Sequence, residues 1–259
     1  MIVIVALTVF VATILGSISG IGGGVLIKPV MDAVSGLSTS VISFLSGTTV
    51  LTMTVVSLLR SRKGPVRIDR RGTFLAIGGA VGGLLGKMIF SYMIASVSNR
   101  NMVALVQNII MVILTVSVFF YVRNKARIRM LNIVNPMLCT LIGLFLGVAS
   151  SFLGIGGGPI NIMFLSYFFS MDSKTAALNS LYVIFFSQAV SLVSSIVTAS
   201  VPEFDPAMLA MMMVLAVIGA TVGRKLSSRM DERKVDLLFM WLLAVITLIS
   251  LYNCFRFAL

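Results

Sequence analysis

Apolar residues fill this chain in long unbroken blocks, and polar residues gather in the short stretches between them. A helix needs about 20 mostly apolar residues to cross about 30 Å of hydrocarbon. Eight blocks meet or approach that length, at 2–19, 39–59, 73–95, 101–122, 136–153, 174–199, 207–223 and 235–252. The first block has no basic leader, so it reads as a mature span and not as a cleavable signal. Two blocks run into the same pentapeptide, Gly20-Ile21-Gly22-Gly23-Gly24 and Gly154-Ile155-Gly156-Gly157-Gly158. Glycine costs roughly 1 kcal/mol relative to alanine inside a helix, so each cluster predicts a break in regular structure. Within a bilayer, exposed peptide groups cost several kcal/mol unless they are buried in protein or line a wet cavity. A break that occurs twice therefore predicts a cavity that something enters.

Composition agrees with the pattern: 58% of residues are hydrophobic and 11% are charged, which excludes an ordinary soluble domain. The expected class is an all-α polytopic membrane protein in contact with the lipid bilayer. The net charge of +12 would suggest nucleic acid, but the basic residues lie in connections between spans, where membrane orientation and anionic lipid collect them. No nucleic-acid partner is expected. The two cysteines, Cys139 and Cys254, are not in a Cys-x-x-Cys arrangement, and there is no histidine. A thiol relay and the commonest metal and haem ligands are thereby removed, so neither cofactor nor metal is expected. With no nucleophile–base constellation visible, an enzyme is the least favoured class.

The chain repeats beyond its glycines. The clusters lie 134 positions apart (154 − 20), and Gly82, Gly86 and Lys87 recur in order as Gly219, Gly223 and Arg224. Two homologous halves follow, 1–130 and 131–259, acting as one transport unit. The two Gly-x-x-x-Gly pairs read first as close helix packing. Basic residues cluster at 60–71, 123–129 and 224–234, and short cytoplasmic connections collect such residues, so all three should face inside. The acidic connection 201–206 should face outside. Eight crossings do not allow this, because three spans separate the second cluster from the third. Counting the segment after the second glycine cluster, 158–171, as a further crossing restores agreement, and its counterpart is 25–35. An extended run of about five residues plus about ten helical ones would cover about 31 Å. Each half then has five crossings, and the halves form inverted-topology repeats with broken helices at the glycine clusters. The alternative is eight spans with two re-entrant segments and parallel halves.

Neither cluster carries Gly-Lys-Ser/Thr, and Val25 and Pro159 stand where a dinucleotide fingerprint needs its last glycine, so nucleotide binding is excluded. What remains is the anion affinity of a helix start. Unpaired N–H groups and the positive dipole end would project from Gly22, Gly23 and Gly24 and from Gly156, Gly157 and Gly158, with Pro159 suited to a first helical position. Intramembrane polar side chains are the second clue. Lys28 and Asp32 share a face of one short helix, where they either neutralise each other or form a substrate or proton site. Asn161 could donate to an anion. Ser46, Thr48, Thr49, Asn179 and Gln188 could line a path or simply bond one helix to another.

These motifs together resemble the sulfite exporter TauE/SafE family of membrane permeases, also called the toluene-sulfonate uptake permease family. The likeness runs over nearly the whole chain through GIGGGVLIKP, GLFLGVASSFLGIGGGP, the loop SRKGPVRIDRR and the segments GGLLGK and GATVGR. The resemblance implies a multi-pass secondary transporter of the bacterial cytoplasmic (inner) membrane that moves small sulfur-containing or organic anions, such as sulfite, sulfonates or sulfoacetate. By motif match it carries the cluster glycines, Pro29 and Pro159 over as site-forming residues. Lys28 departs from the family pattern, which is usually apolar before that proline. Lys28, Asn161 and the helix ends are the expected anion ligands, and Asp32 is the expected modulator or proton carrier. A proton or sodium ion is the candidate coupling partner. A channel-like pore and a non-transporting membrane assembly factor are the competing classes.

Overall fold

The computed structural model of the protein describes residues 2–62, 66, 68, 70–97 and 100–258. These form ten α-helices: α1 Ile2–Ser19, α2 Gly24–Val34, α3 Thr39–Ser61, α4 Arg70–Ser96, α5 Arg100–Asn124, α6 Pro136–Leu153, α7 Pro159–Phe169, α8 Ser173–Val197, α9 Pro206–Ser227 and α10 Glu232–Ala258. No strand occurs among the described residues. All but α2 and α7 are long and apolar enough to cross a membrane. Each of these two has 11 residues, which span about 16 Å, roughly half of the hydrocarbon thickness.

Regular helix stops at Ser19 and resumes at Gly24, and stops again at Leu153 and resumes at Pro159, so neither glycine cluster is regular helix through its length. The connections are turns and bends, and of the segment 158–171 residues Pro159–Phe169 are helical, so it has no five-residue extended run. The physical reason is the backbone: Gly154, Gly156, Gly157 and Gly158 all have positive φ, which curls the chain. After the first turn the chain folds back on itself. Gly23 lies against Gly16 and Ala12, and Ile27 and Met31 of α2 share a buried cluster with Val5, Val9 and Ala12 of α1.

Small residues set the closest helix pairs. A Cβ placed on Gly78, Gly82 or Gly86 of α4 would strike the backbone of Thr140, Leu144 or Val148 of α6, and Gly143 and Gly147 face Leu75 and Gly79 in return. Residue numbers rise together on both sides, so α4 and α6 run parallel. In the same way Gly219 and Gly223 of α9 sit on Thr13 and Ile14 of α1. Both Gly-x-x-x-Gly pairs are therefore packing seams, where the missing side chains let backbones approach. The principal helix pairings are kept when the halves are exchanged: α1 with α9 matches α6 with α4, α3 with α9 matches α8 with α4, and α2 with α10 matches α7 with α5.

The ends of the bundle differ in charge. Lys125 bonds Ser173, which bonds Asp236, and Arg71 bonds Asn132 and the carbonyl of Phe169. These contacts gather the end of α5, the starts of α4, α8 and α10 and the linker at one end, together with the basic residues near them. Lys63 and Arg67 of the first basic cluster lie outside the described residues. At the opposite end the acidic connection before α9 packs back through Phe204, whose ring lies 5.0 Å from that of Phe44 near the start of α3.

Candidate functional site

The two glycine turns meet in the middle of the bundle. The Gly158 N–H donates to the Ile21 carbonyl at 2.9 Å, and a Cβ on Gly22 would lie 3.1 Å from the Gly156 oxygen. A Cβ on Gly24 would collide with the carbonyl of Ile155. Only glycine admits both the left-handed backbone and this approach. Val50 and Ile184, at equivalent places on α3 and α8, pack over the junction. Gly20 faces Ala177, and Gly154 faces Ser43.

Two helices begin at this junction. Neither α2 nor α7 has a side-chain cap; the N–H groups of Leu26 and Asn161 bond the carbonyls of Gly23 and Gly158 and Pro159 has none, so the N–H groups of Gly24, Val25 and Ile160 are the ones with capacity to bond an anion. Pro159 occupies the first turn of α7, as its fixed φ favours. Around the junction lie polar side chains with no partner. Both side-chain heteroatoms of Asn161 are unbonded although the residue is completely buried, and the hydroxyls of Ser43, Ser46, Thr48 and Ser151 are buried without partners. The Asn161 amide nitrogen faces Gly157, and Ser46 faces Gly24. A buried polar group left unpaired costs about 1–3 kcal/mol, so several around one point mark a place built for something polar.

A cleft with about 390 Å³ of empty space, its mouth included, is lined by Ser43, Thr48, Lys87, Ser151, Gly154 and Gln188, together with serines of α8. It lies toward the acidic end, since Phe44, which contacts Phe204, is also in its wall. Lys87 is its cation, with Nζ 5.5 Å from the centre of the Phe90 ring. The Gln188 amide donates to Ser150 at 3.2 Å.

The other expected residues fall elsewhere. Thr49 bonds the carbonyl of Leu45 in its own helix, and Asn179 packs on Gly72 and donates to the Thr175 carbonyl, so neither lines the cleft. Lys28 and Asp32 form a buried ion pair at 3.0 Å, in a small pocket with Pro29, Gln107, Asn108, Met111 and Leu153. Asn108 donates to Asp32 at 3.4 Å, Asn253 donates to the carbonyl of Pro29 at 2.8 Å, and Arg256 bonds the carbonyl of Asp32 at 2.8 Å. Sequence reasoning missed Ser43, Ser151, Gln107, Asn108, Asn253 and Arg256. For Gln107 and Asn108 a signal existed, because two adjacent amides inside an apolar block are rare enough to flag. Among the described residues, no group of three or more histidine, cysteine or acidic side chains could hold a metal ion.

An all-helical bundle with eight membrane-length helices and buried polar groups at its centre defines a multi-pass membrane protein. The model of the sulfite exporter TauE/SafE family matches residues 5–249, and the chain belongs to that family. The family is one of transporters. No curated protein and no solved structure matches the chain.

Proposed function

We propose that the protein is a secondary transporter that moves a small sulfur-containing or organic anion, such as sulfite or a sulfonate, across a bacterial cytoplasmic membrane by alternating access. The observation that carries this reading is the junction of the glycine turns. Two uncapped helix starts and the unpaired groups of Asn161 and Ser46 supply hydrogen-bond donors and positive dipole ends, with no carboxylate among them. Each helix end acts as about half a positive charge, and in a dry site that is worth far more than at a surface. An oxyanion with several acceptor oxygens suits this donor set. Lys87 in the cleft supplies a cation on the route in.

The transport mode follows from comparing the two halves, which we take to be inverted-topology repeats with residues 1–130 and 131–259 as units. The exchange of helix pairings supports this, as does the gathering of basic segments at one end. Ser151 stands three residues before Gly154, as Ser17 does before Gly20. Ser151 is unbonded in the open cleft, whereas the Ser17 hydroxyl is 3.0 Å from that of Ser57 and donates to the carbonyl of Ala220. Equivalent groups are thus loose toward the acidic end and knitted together toward the basic end. Alternating access exchanges these two arrangements around the central site.

The test is uptake of labelled sulfite, sulfonates and carboxylates into vesicles carrying the purified protein. At least one anion should enter saturably, and Asn161→Leu, which keeps the branched heavy-atom skeleton and removes the donor, should lower that rate at least tenfold. Unchanged uptake in this variant would overturn the site.

A further inference from the structure

The Lys28–Asp32 pair is arranged against its own helix. Lys28 lies near the middle of α2 and Asp32 lies in its last turn, so the carboxylate faces the dipole end of its own sign. The order, base before acid at i and i+4, is also the weaker one for a helical ion pair. Side chains on a helix lean toward its start, so an unpaired Lys28 would extend over the turn that begins at Gly24. In the structure it bends the other way, to Asp32.

The surroundings of Asp32 are short of donors. Its Oδ1 has no partner, and neither do the buried oxygens Gln107 Oε1 and Asn253 Oδ1. Asp32 and Gln107 line one pocket, and Asn253 closes on it through Pro29 and Asn108. The charged groups facing Asp32 are Lys28 on α2 and Arg256 on α10, the latter bonded to the backbone carbonyls of Asp32 and Ala33. The facing residues of α5, Gln107 and Asn108, are uncharged, and α1 carries no charged residue. One added proton on Oδ1 would turn an orphaned acceptor into a donor among orphaned acceptors.

We propose that Lys28 and Asp32 are the coupling device of this transporter, Lys28 leaving Asp32 for the bound anion while Asp32 takes up a proton at Oδ1. This rests on the anion site described above. A buried carboxylate that loses its cation is driven to protonate, because an unpaired charge is costly in the interior. The charges balance. Before binding, the ammonium and the carboxylate cancel; afterwards the ammonium cancels a monovalent anion, and the carboxyl is neutral, its proton having come from water on the side to which the site is open. One anion and one proton therefore move together, and the membrane potential does no work on them.

The experiment measures labelled-anion counterflow, accumulation under an imposed pH gradient, accumulation under an imposed sodium gradient, and lumenal pH with a trapped dye, all in vesicles. Wild type should accumulate anion under the pH gradient and not under the sodium gradient, and lumenal pH should shift as anion enters. In Asp32→Asn the ratio of pH-driven accumulation to counterflow should fall at least tenfold, and Lys28→Met should lose both. Wild type that counterflows but takes up anion in net flux without a lumenal pH shift, or that follows only sodium, overturns the coupling device and leaves the anion site standing. A variant Asp32→Asn with an unchanged ratio does the same, and identifies a merely structural ion pair. Wild type with no counterflow of any anion overturns the transport reading itself. The wild-type dye measurement decides the question even if Asp32→Asn does not fold.

Discussion

Gly22 illustrates how much of the centre depends on a missing side chain. Its φ of +84° is left-handed, and an added Cβ would meet the Gly156 oxygen at 3.1 Å. The backbone alone costs a residue with a β-carbon roughly 1–2 kcal/mol. Gly36 offers a control, with φ of +66° but open space where its Cβ would go. Gly22→Ala should lose more stability than Gly36→Ala by about 1 kcal/mol or more, and only Gly22→Ala should lower anion flux at least tenfold, as read by thermal melting and vesicle uptake. Such residues were legible in the sequence because four glycines in five apolar positions have no ordinary use. Asn161 stood out for the same reason, a polar group just beyond a break. Ser43 and Ser151 did not, since serine is common between packed membrane helices. The Asp32 pocket was legible only in Lys28 and Asp32, because Asn108 is 76 positions away from Asp32 and Asn253 a further 145.

Helix starts follow capping and proline chemistry as much as hydropathy. Asn135 and Asp205 each accept backbone N–H groups at the start of a helix whose first residue is proline. Asp172 does the same for α8, accepting from the N–H groups of Lys174 and Thr175 and the Thr175 hydroxyl. Burial alone would raise its carboxyl, but those hydrogen bonds outweigh burial and hold it below the usual carboxylate range. Asp172→Ala should cost about 1 kcal/mol at neutral pH. Because the folded carboxyl is held low, the contribution is present above the unfolded value near 4 and fades as pH falls through the folded value. The melting gap between wild type and this variant should therefore be constant above about pH 5 and shrink in stronger acid. The short helices α2 and α7 escaped hydropathy, since 11 residues are too few to register as a span. Loop charges single out these segments of the chain instead, as candidate crossings. The path of the turns before them was not legible, because glycine content says that a helix will stop and not which way the chain then goes.

At the scale of the molecule, the proposed inverted repeat places the three basic segments on one side of the membrane and the acidic connection 201–206 on the other. In a background without Cys139 and Cys254, cysteines placed at Arg229 and Arg123 should react only with reagent on the cytoplasmic side of sealed vesicles, and one at Glu203 only from the outside. External labelling at position 229 would contradict the inverted arrangement. Family membership and the number of long helices were both legible in the chain, since each depends on local motif or local hydropathy. Contact between the two glycine turns was not, because it joins residues more than a hundred positions apart.

The central claim is that the paired glycine turns form one carrier site that faces each side in turn. It is tested most directly by counterflow in vesicles preloaded with an excess of the unlabelled anion that the protein transports best. The account predicts transient accumulation of external labelled anion above its equilibrium level, without any ion gradient, and its loss in Gly22→Ala. Uptake that rises to equilibrium without overshoot, or that does not saturate, would identify a pore; no uptake of any anion by folded protein would contradict transport altogether.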